Sequence, residues 1–168
     1  VAPVLMAAAR MVRARDPKRQ VVCMVAPSVA REVTTMAAEQ DFPITLVMDD
    51  SEKADAYAAM TVAIACSGTV TTELAAQGAA VVTGYKIGWI TWALLRGFMF
   101  KSKYSALVNV AADREVIPEF IQTRFNAQNI AAAAEQRLTD PKLLEDQRAA
   151  QREAIRIMSG DGRSAADI

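Results

Sequence analysis

Four short apolar runs constrain what this chain can fold into. Residues 21–26 (VVCMVA), 44–48 (ITLVM), 61–66 (TVAIAC) and 79–83 (AAVVT) are strand-length, rich in β-branched side chains, and show no polar alternation. Strands that read this way are buried on both faces. The segments between them have helical period. Over 4–15, Val4, Leu5, Ala8, Met11 and Val12 recur on one helical face, and Asp16-Pro17 ends the pattern. Ser28 is placed to cap a helix whose core face is Val29, Val33, Met36 and Ala37. A polar helix is predicted over 51–60, and another over 69–77 that stops at Gly78, a residue suited to a left-handed cap. Doubly buried strands joined by helices predict an α/β fold: a Rossmann-like parallel sheet with right-handed crossovers and helices on both faces. A ligand crevice is then expected at the C-terminal ends of the strands. Residues 126–139 and 141–158 read as two Ala-rich helices forming a helical C-terminal tail, with Asp140 as N-cap and Pro141 in the first turn. The last ten residues read as frayed.

Composition narrows the chemistry. A length of 168 residues suits one domain. Lys+Arg and Asp+Glu both number 19, so no basic footprint for nucleic acid is present and none is expected as a partner. The chain has no histidine, which removes Ser-His and Cys-His nucleophile systems and the commonest metal ligand. No zinc spacing exists, Asp49-Asp50 stands in a different loop from the turn discussed next, and neither a metal nor a cofactor is expected. Cys23 and Cys66 lie in apolar runs and read as buried thiols of a reducing compartment. The first residues, VAPVL, enter a helix abruptly without an initiator Met, and the short apolar stretch has no cleavage pattern after it. The expectation is a piece of a longer protein rather than one led by a signal peptide.

Three segments carry candidate chemistry. Ser67-Gly68-Thr69-Val70-Thr71-Thr72-Glu73 follows the third strand and opens a helix. Helix N-termini attract anions through their N–H groups and dipole, and Ser67, Thr69, Thr71 and Thr72 add hydroxyls. The pattern is neither a P-loop nor GxGxxG, and Ser67 or Thr69 capping the helix is the plainer alternative. Glu73, one turn in, is placed to accept from ribose hydroxyls or to stand as a surface charge. The second segment, 84–103 (GYKIGWITWALLRGFMFKSK), has an apolar stretch of about 14 residues, too short to cross a bilayer. Trp89, Trp92, Phe98 and Phe100 among Lys86, Arg96, Lys101 and Lys103 suit an interfacial helix on anionic lipid, or a core or dimer-interface helix. The third, 104–122, carries Asn109, Asp113, Arg114, Glu115, Glu119 and Gln122. Asn109 follows a strand-like run that would bring it near the crevice; alone, the segment also reads as loop and capping chemistry.

Together and in order, SGTVTTELA (67–75), GYK (84–86), the aromatic and basic apolar stretch, YSALVN (104–109) and REVIPEFIQ (114–122) resemble the lipid-A-disaccharide synthases, over roughly residues 60 to 140. The resemblance implies the C-terminal, UDP-sugar-binding domain of a GT-B glycosyltransferase. It implies transfer of 2,3-diacylglucosamine from a UDP-2,3-diacylglucosamine donor to a lipid acceptor, 2,3-diacylglucosamine 1-phosphate. The acceptor side and the catalytic carboxylate would lie in an N-terminal domain outside this chain, so no catalytic residue is assigned here. By the same resemblance Ser67, Gly68 and Thr69 are donor-phosphate contacts and Glu73 a ribose or nucleotide contact. Asn109, Arg114, Glu115, Glu119 and Gln122 are cleft residues. Trp89, Trp92, Arg96, Phe98, Phe100 and Lys101 are expected at a membrane surface. A homodimer, peripheral on the cytoplasmic side of the inner membrane of a Gram-negative-type bacterium, completes the expectation. The chain departs from the family at Val108, often proline there, and at Asp113, often glycine. Competing readings are another UDP-sugar enzyme, such as an epimerase or the peptidoglycan glucosaminyltransferase, and a non-catalytic nucleotide-binding or dimerisation module.

Overall fold

The computed structural model describes residues 1–66, 68–86 and 104–160. Helix α1 (Ala2–Arg15) leads to strand β1 (Val22–Met24), and a 3-10 turn (Pro27–Val29) runs into α2 (Ala30–Ala38). Then come β2 (Thr45–Val47), α3 (Asp50–Ala59), β3 (Val62–Ala65), α4 (Thr69–Ala76) and β4 (Ala80–Tyr85). Beyond residue 103 follow α5 (Leu107–Ala112), β5 (Glu119–Ile121), a 3-10 turn (Gln122–Arg124), α6 (Ala127–Thr139) and α7 (Pro141–Met158). Every strand pairing is parallel. β1 lies beside β2, and β4 lies between β3 and β5, with Val62 opposite Ala80 and Thr83 opposite Glu119. The α/β, Rossmann-like architecture read from the sequence is the one observed.

Strand alternation separates the faces. Ala63, Ala65 and Val81 pack with Leu74 and Ala75 of α4, Val108 of α5 and Ala154 of α7. Val62, Ile64 and Val82 face the other way, against Ala8 and Val12 of α1 and Ile130, Ala131 and Ala134 of α6. A third cluster joins Met6 of α1 to Val33 of α2 and to Val25, Cys23 and Leu46 at β1 and β2. Helices α6 and α7 are therefore not a trailing tail: they cover opposite faces. The Asp140-Pro141 signal held in detail, the Asp140 carboxylate accepting from Lys142 N and Leu143 N, both at 3.0 Å. Of the frayed end, residues 161–168 lie outside the described residues.

Only β4 is buried along nearly its whole length. Val22 of β1 is exposed, Cys23 half-buried and Cys66 exposed, so the two thiols are not core residues; both are free. Ser28 does not cap α2. The 3-10 turn beginning at Pro27 occupies that position, no side chain caps α2, and Val29 is 42% exposed instead of facing the core.

Strand β5 was not anticipated, being three residues long and preceded by proline. Its shortness leaves a gap. β5 meets β4 only from Thr83 onward, so on that side Ala79 and Val81 have no strand neighbour among the described residues. Two glutamines of α7 fill the ladder. Gln151, fully buried, donates from Nε2 to Ala79 O at 2.6 Å and accepts at Oε1 from Val81 N at 3.0 Å. Gln147 donates to Val81 O at 2.8 Å and to Gln151 Oε1 at 2.7 Å, while its own Oε1 accepts from Arg137 Nε at 2.5 Å. Buried backbone groups need partners; here side chains replace a strand. Elsewhere, Arg19 grips Glu135 through two hydrogen bonds of 2.6 and 3.0 Å and ties the loop after α1 to α6. That hydrogen bond holds the Glu135 carboxyl below its usual range and raises the Arg19 guanidinium above its own.

Gly84 marks the tightest approach in the sheet. A Cβ there would stand 2.8 Å from Phe125 Cδ2 and 2.9 Å from the Phe120 carbonyl oxygen. The carbonyl belongs to the paired strand and cannot swing away. Gly84→Ala is expected to destabilise the fold by about 2 kcal/mol through overpacking, read as a lower urea midpoint at unchanged m-value.

Candidate functional site

Chain direction brings the C-terminal ends of the parallel strands to one edge of the sheet, and β3 ends there in a corner only glycine can make. Gly68 has φ 113° and ψ −157°, while a Cβ on it would meet open space. Backbone conformation, not crowding, demands glycine at this point. Gly68 is the N-cap of α4, and among the described residues no side chain caps that helix. Thr71 latches the corner from inside: it is fully buried, its N–H bonds Gly68 O at 3.1 Å and its hydroxyl bonds the same oxygen at 2.7 Å. Gly68, Thr69 and Val70 are exposed. The result is a helix N-terminus facing solvent, with no acidic residue in its first turn. Its partial positive charge and N–H groups suit an anion.

The hydroxyls divide. Thr69 is exposed at the corner, whereas the Thr71 hydroxyl is committed to Gly68 and is not offered to a ligand. Thr72 is half-buried, and its buried hydroxyl has no hydrogen-bond partner among the described residues. Ser67 lies outside the described residues, as do Trp89, Trp92, Arg96, Phe98, Phe100, Lys101 and Lys103, so the phosphate and membrane roles read for them rest on sequence. Lys86, at the exposed end of β4, closes the same sheet edge.

Glu73 is exposed in the second turn of α4, but it is not a bare surface charge. The Tyr57 hydroxyl of α3 donates to Glu73 Oε1 at 2.5 Å. That bond and the carboxylate's charge push the Tyr57 phenol up to about 12. Lys53, one turn earlier on α3, is paired with Asp50 at 2.6 Å. Sequence reasoning missed Tyr57; its signal was a lone aromatic in an otherwise polar helix.

The 104–122 residues form a separate knot. The run before Asn109 is helix α5, not strand, and Asn109 does not line the crevice. It is fully buried. Its Oδ1 accepts from Val116 N and Ile117 N, both at 2.8 Å, and its Nδ2 donates to Ile117 O at 2.8 Å. The amide thus shapes the 113–117 loop from inside. Asp113 closes α5 with φ 48°, a left-handed position where a glycine is easily accommodated. Glu119 is also buried, and its carboxylate accepts from Ser105 N and Ala106 N, the latter at 2.8 Å, capping α5 from the start of β5. Arg114 and Glu115 are exposed; Glu115 Oε1 accepts from Glu119 N at 3.4 Å. Gln122 stands at the C-terminal end of β5, buried, with φ 54°. A non-glycine residue held left-handed at the C-terminal edge of a parallel sheet is the kind of strain found at functional sites.

One depression, about 470 Å³, opens along α2 from Pro27 to Glu39, and another lies between α1 and α2. Neither includes Gly68, Thr69 or Glu73. Among the described residues no cluster of His, Cys, Asp or Glu is arranged to hold a metal ion, and no helix is long and apolar enough to cross a membrane.

Comparison with known proteins gives a consistent picture. The family model described as lipid-A-disaccharide synthetase matches residues 1–166. The lipid-A-disaccharide synthase of Rhodospirillum centenum is 35% identical over 133 residues, covering 79% of this chain and 33% of that protein. That of Anaeromyxobacter dehalogenans (strain 2CP-C) is 33% identical over 161 residues, 95% of this chain and 41% of the relative. That of Rickettsia conorii is 40% identical over 92 residues, 55% of this chain and 20% of the relative. The matches therefore span between a fifth and about two fifths of these relatives' lengths.

Proposed function

The chain belongs to the lipid-A-disaccharide synthetase family, and from that premise we propose that it is the donor-binding half of a glycosyltransferase holding a UDP-sugar at the Gly68 corner. The observation that carries this reading is the exposed N-terminus of α4, capped by no side chain among the described residues and opened by a glycine after the C-terminal end of β3. The diphosphate lies against the first-turn N–H groups and the Thr69 hydroxyl, with Ser67 beside it. Glu73 accepts from the ribose. Stabilising the departing UDP in this way needs no metal: fixed dipoles aimed at developing charge lower the barrier to transfer.

On this reading the whole enzyme moves 2,3-diacylglucosamine from UDP to 2,3-diacylglucosamine 1-phosphate. The acceptor and the base for its 6-hydroxyl are held by a second domain across the cleft. The aromatic and basic residues 87–103 rest on the cytoplasmic face of the inner membrane, keeping the acyl chains in lipid, and the enzyme works as a homodimer. Gln122, Arg114 and Glu115 are retained as cleft residues. The buried Asn109 and Glu119 support that cleft through the backbone.

Titrating UDP into the chain by calorimetry or NMR tests the site. Thr69→Val and Glu73→Ala are each expected to weaken binding by about fivefold to tenfold, the net scale of one lost hydrogen bond of about 1 kcal/mol. Affinity unchanged in both variants would remove the Gly68 corner from consideration.

A further inference from the structure

The bond between Tyr57 and Glu73 joins two helices that meet nowhere else through polar side chains in the described hydrogen-bond network. Its placement is specific. The Tyr57 ring packs against the core cluster of Leu74, Ala75 and Val81, so the hydroxyl emerges from a fixed base. Glu73, by contrast, is an exposed side chain with several rotatable bonds, and left alone it would sample many rotamers. The one cation nearby on α3, Lys53, is already engaged by Asp50. The Tyr57 hydroxyl thus takes Oε1 of Glu73 and leaves Oε2 as an acceptor.

We propose that Tyr57 is a positioning residue for nucleotide recognition: its hydroxyl holds Glu73 in the one orientation from which Oε2 receives a ribose 2′-hydroxyl. This deepens the donor-site reading and rests on it. Fixing the rotamer before binding removes an ordering penalty at the moment the ligand arrives. A clamp that merely joined α3 to α4 would do nothing specific to one hydroxyl of the ligand.

The test compares UDP with 2′-deoxy-UDP on the parent chain and on Tyr57→Phe, which keeps the ring and its packing. Loss of the Tyr57 hydroxyl is expected to weaken UDP by about fivefold, from rotamer entropy and one charged hydrogen bond, and to leave 2′-deoxy-UDP nearly unchanged. A parallel NMR titration of the phenol reads the contact without ligand. Tyr57 should titrate near 12 in the parent and closer to the ordinary value of about 10 in Glu73→Gln. Equal losses for both nucleotides, or UDP bound normally by Tyr57→Phe while Glu73→Ala binds it weakly, overturn the positioning role and leave the site standing. Normal UDP binding by both Glu73→Ala and Thr69→Val, or no UDP binding by the parent, overturns the site itself.

Discussion

Replacing Gln151 with leucine is expected to lower the unfolding free energy by about 4 kcal/mol, from two stranded backbone groups at roughly 1–3 kcal/mol each plus the lost amide bonds. Leucine nearly matches the volume and would ordinarily suit a position with no solvent exposure. It cannot donate to Ala79 O or accept from Val81 N, and the described residues place no strand on that side of β4 to take over. Gln147 would also lose the acceptor it shares with Gln151. The urea midpoint reads the effect directly. A shift below about 1 kcal/mol would mean that water or a repacked α7 satisfies β4, and that the glutamines are not its surrogate neighbour.

Asn109→Ala is expected to destabilise by a similar amount, about 3–4 kcal/mol, for a related reason: two buried N–H groups and a carbonyl lose their partner and a small cavity opens. The consequence for function is more informative than the magnitude. Resemblance makes Asn109 a cleft residue, yet every hydrogen bond its side chain makes goes to the 116–117 backbone and none of its surface is exposed. UDP affinity, measured below the thermal transition and corrected for the folded fraction, should then be within about twofold of the parent, as for a buried site with no ligand contact. A tenfold loss of affinity in a chain that remains fully folded would return Asn109 to the cleft.

Most of the architecture was legible along the chain because its signals are local. Continuous apolar runs of strand length and period-3.6 hydrophobicity located four strands and most of the helices. Asp140-Pro141 and Gly78 acted where their own backbone groups required them. Ser28 failed as a cap since the preceding Pro27 fixes a 3-10 turn first, and a single cap residue does not outweigh that geometry. The segment before Asn109 reads as strand in the sequence because Leu107 and Val108 are apolar in either conformation. A distant carboxylate, Glu119, holds the N–H groups of Ser105 and Ala106 just ahead of the helix, a contact the local pattern does not record.

By itself the sequence determined a parallel α/β fold, its family, and the glycine corner after the third strand, for each of these depends on residues adjacent in the chain. The tertiary structure alone decided which polar side chains turn inward to complete backbone hydrogen bonding and which remain for a ligand. Gln151 reaches β4 across 70 residues or more, Asn109 reaches the loop beyond α5, and Tyr57 reaches Glu73 from another helix. A polar residue's role depends on the partner that folding places against it, and no local pattern records that partner.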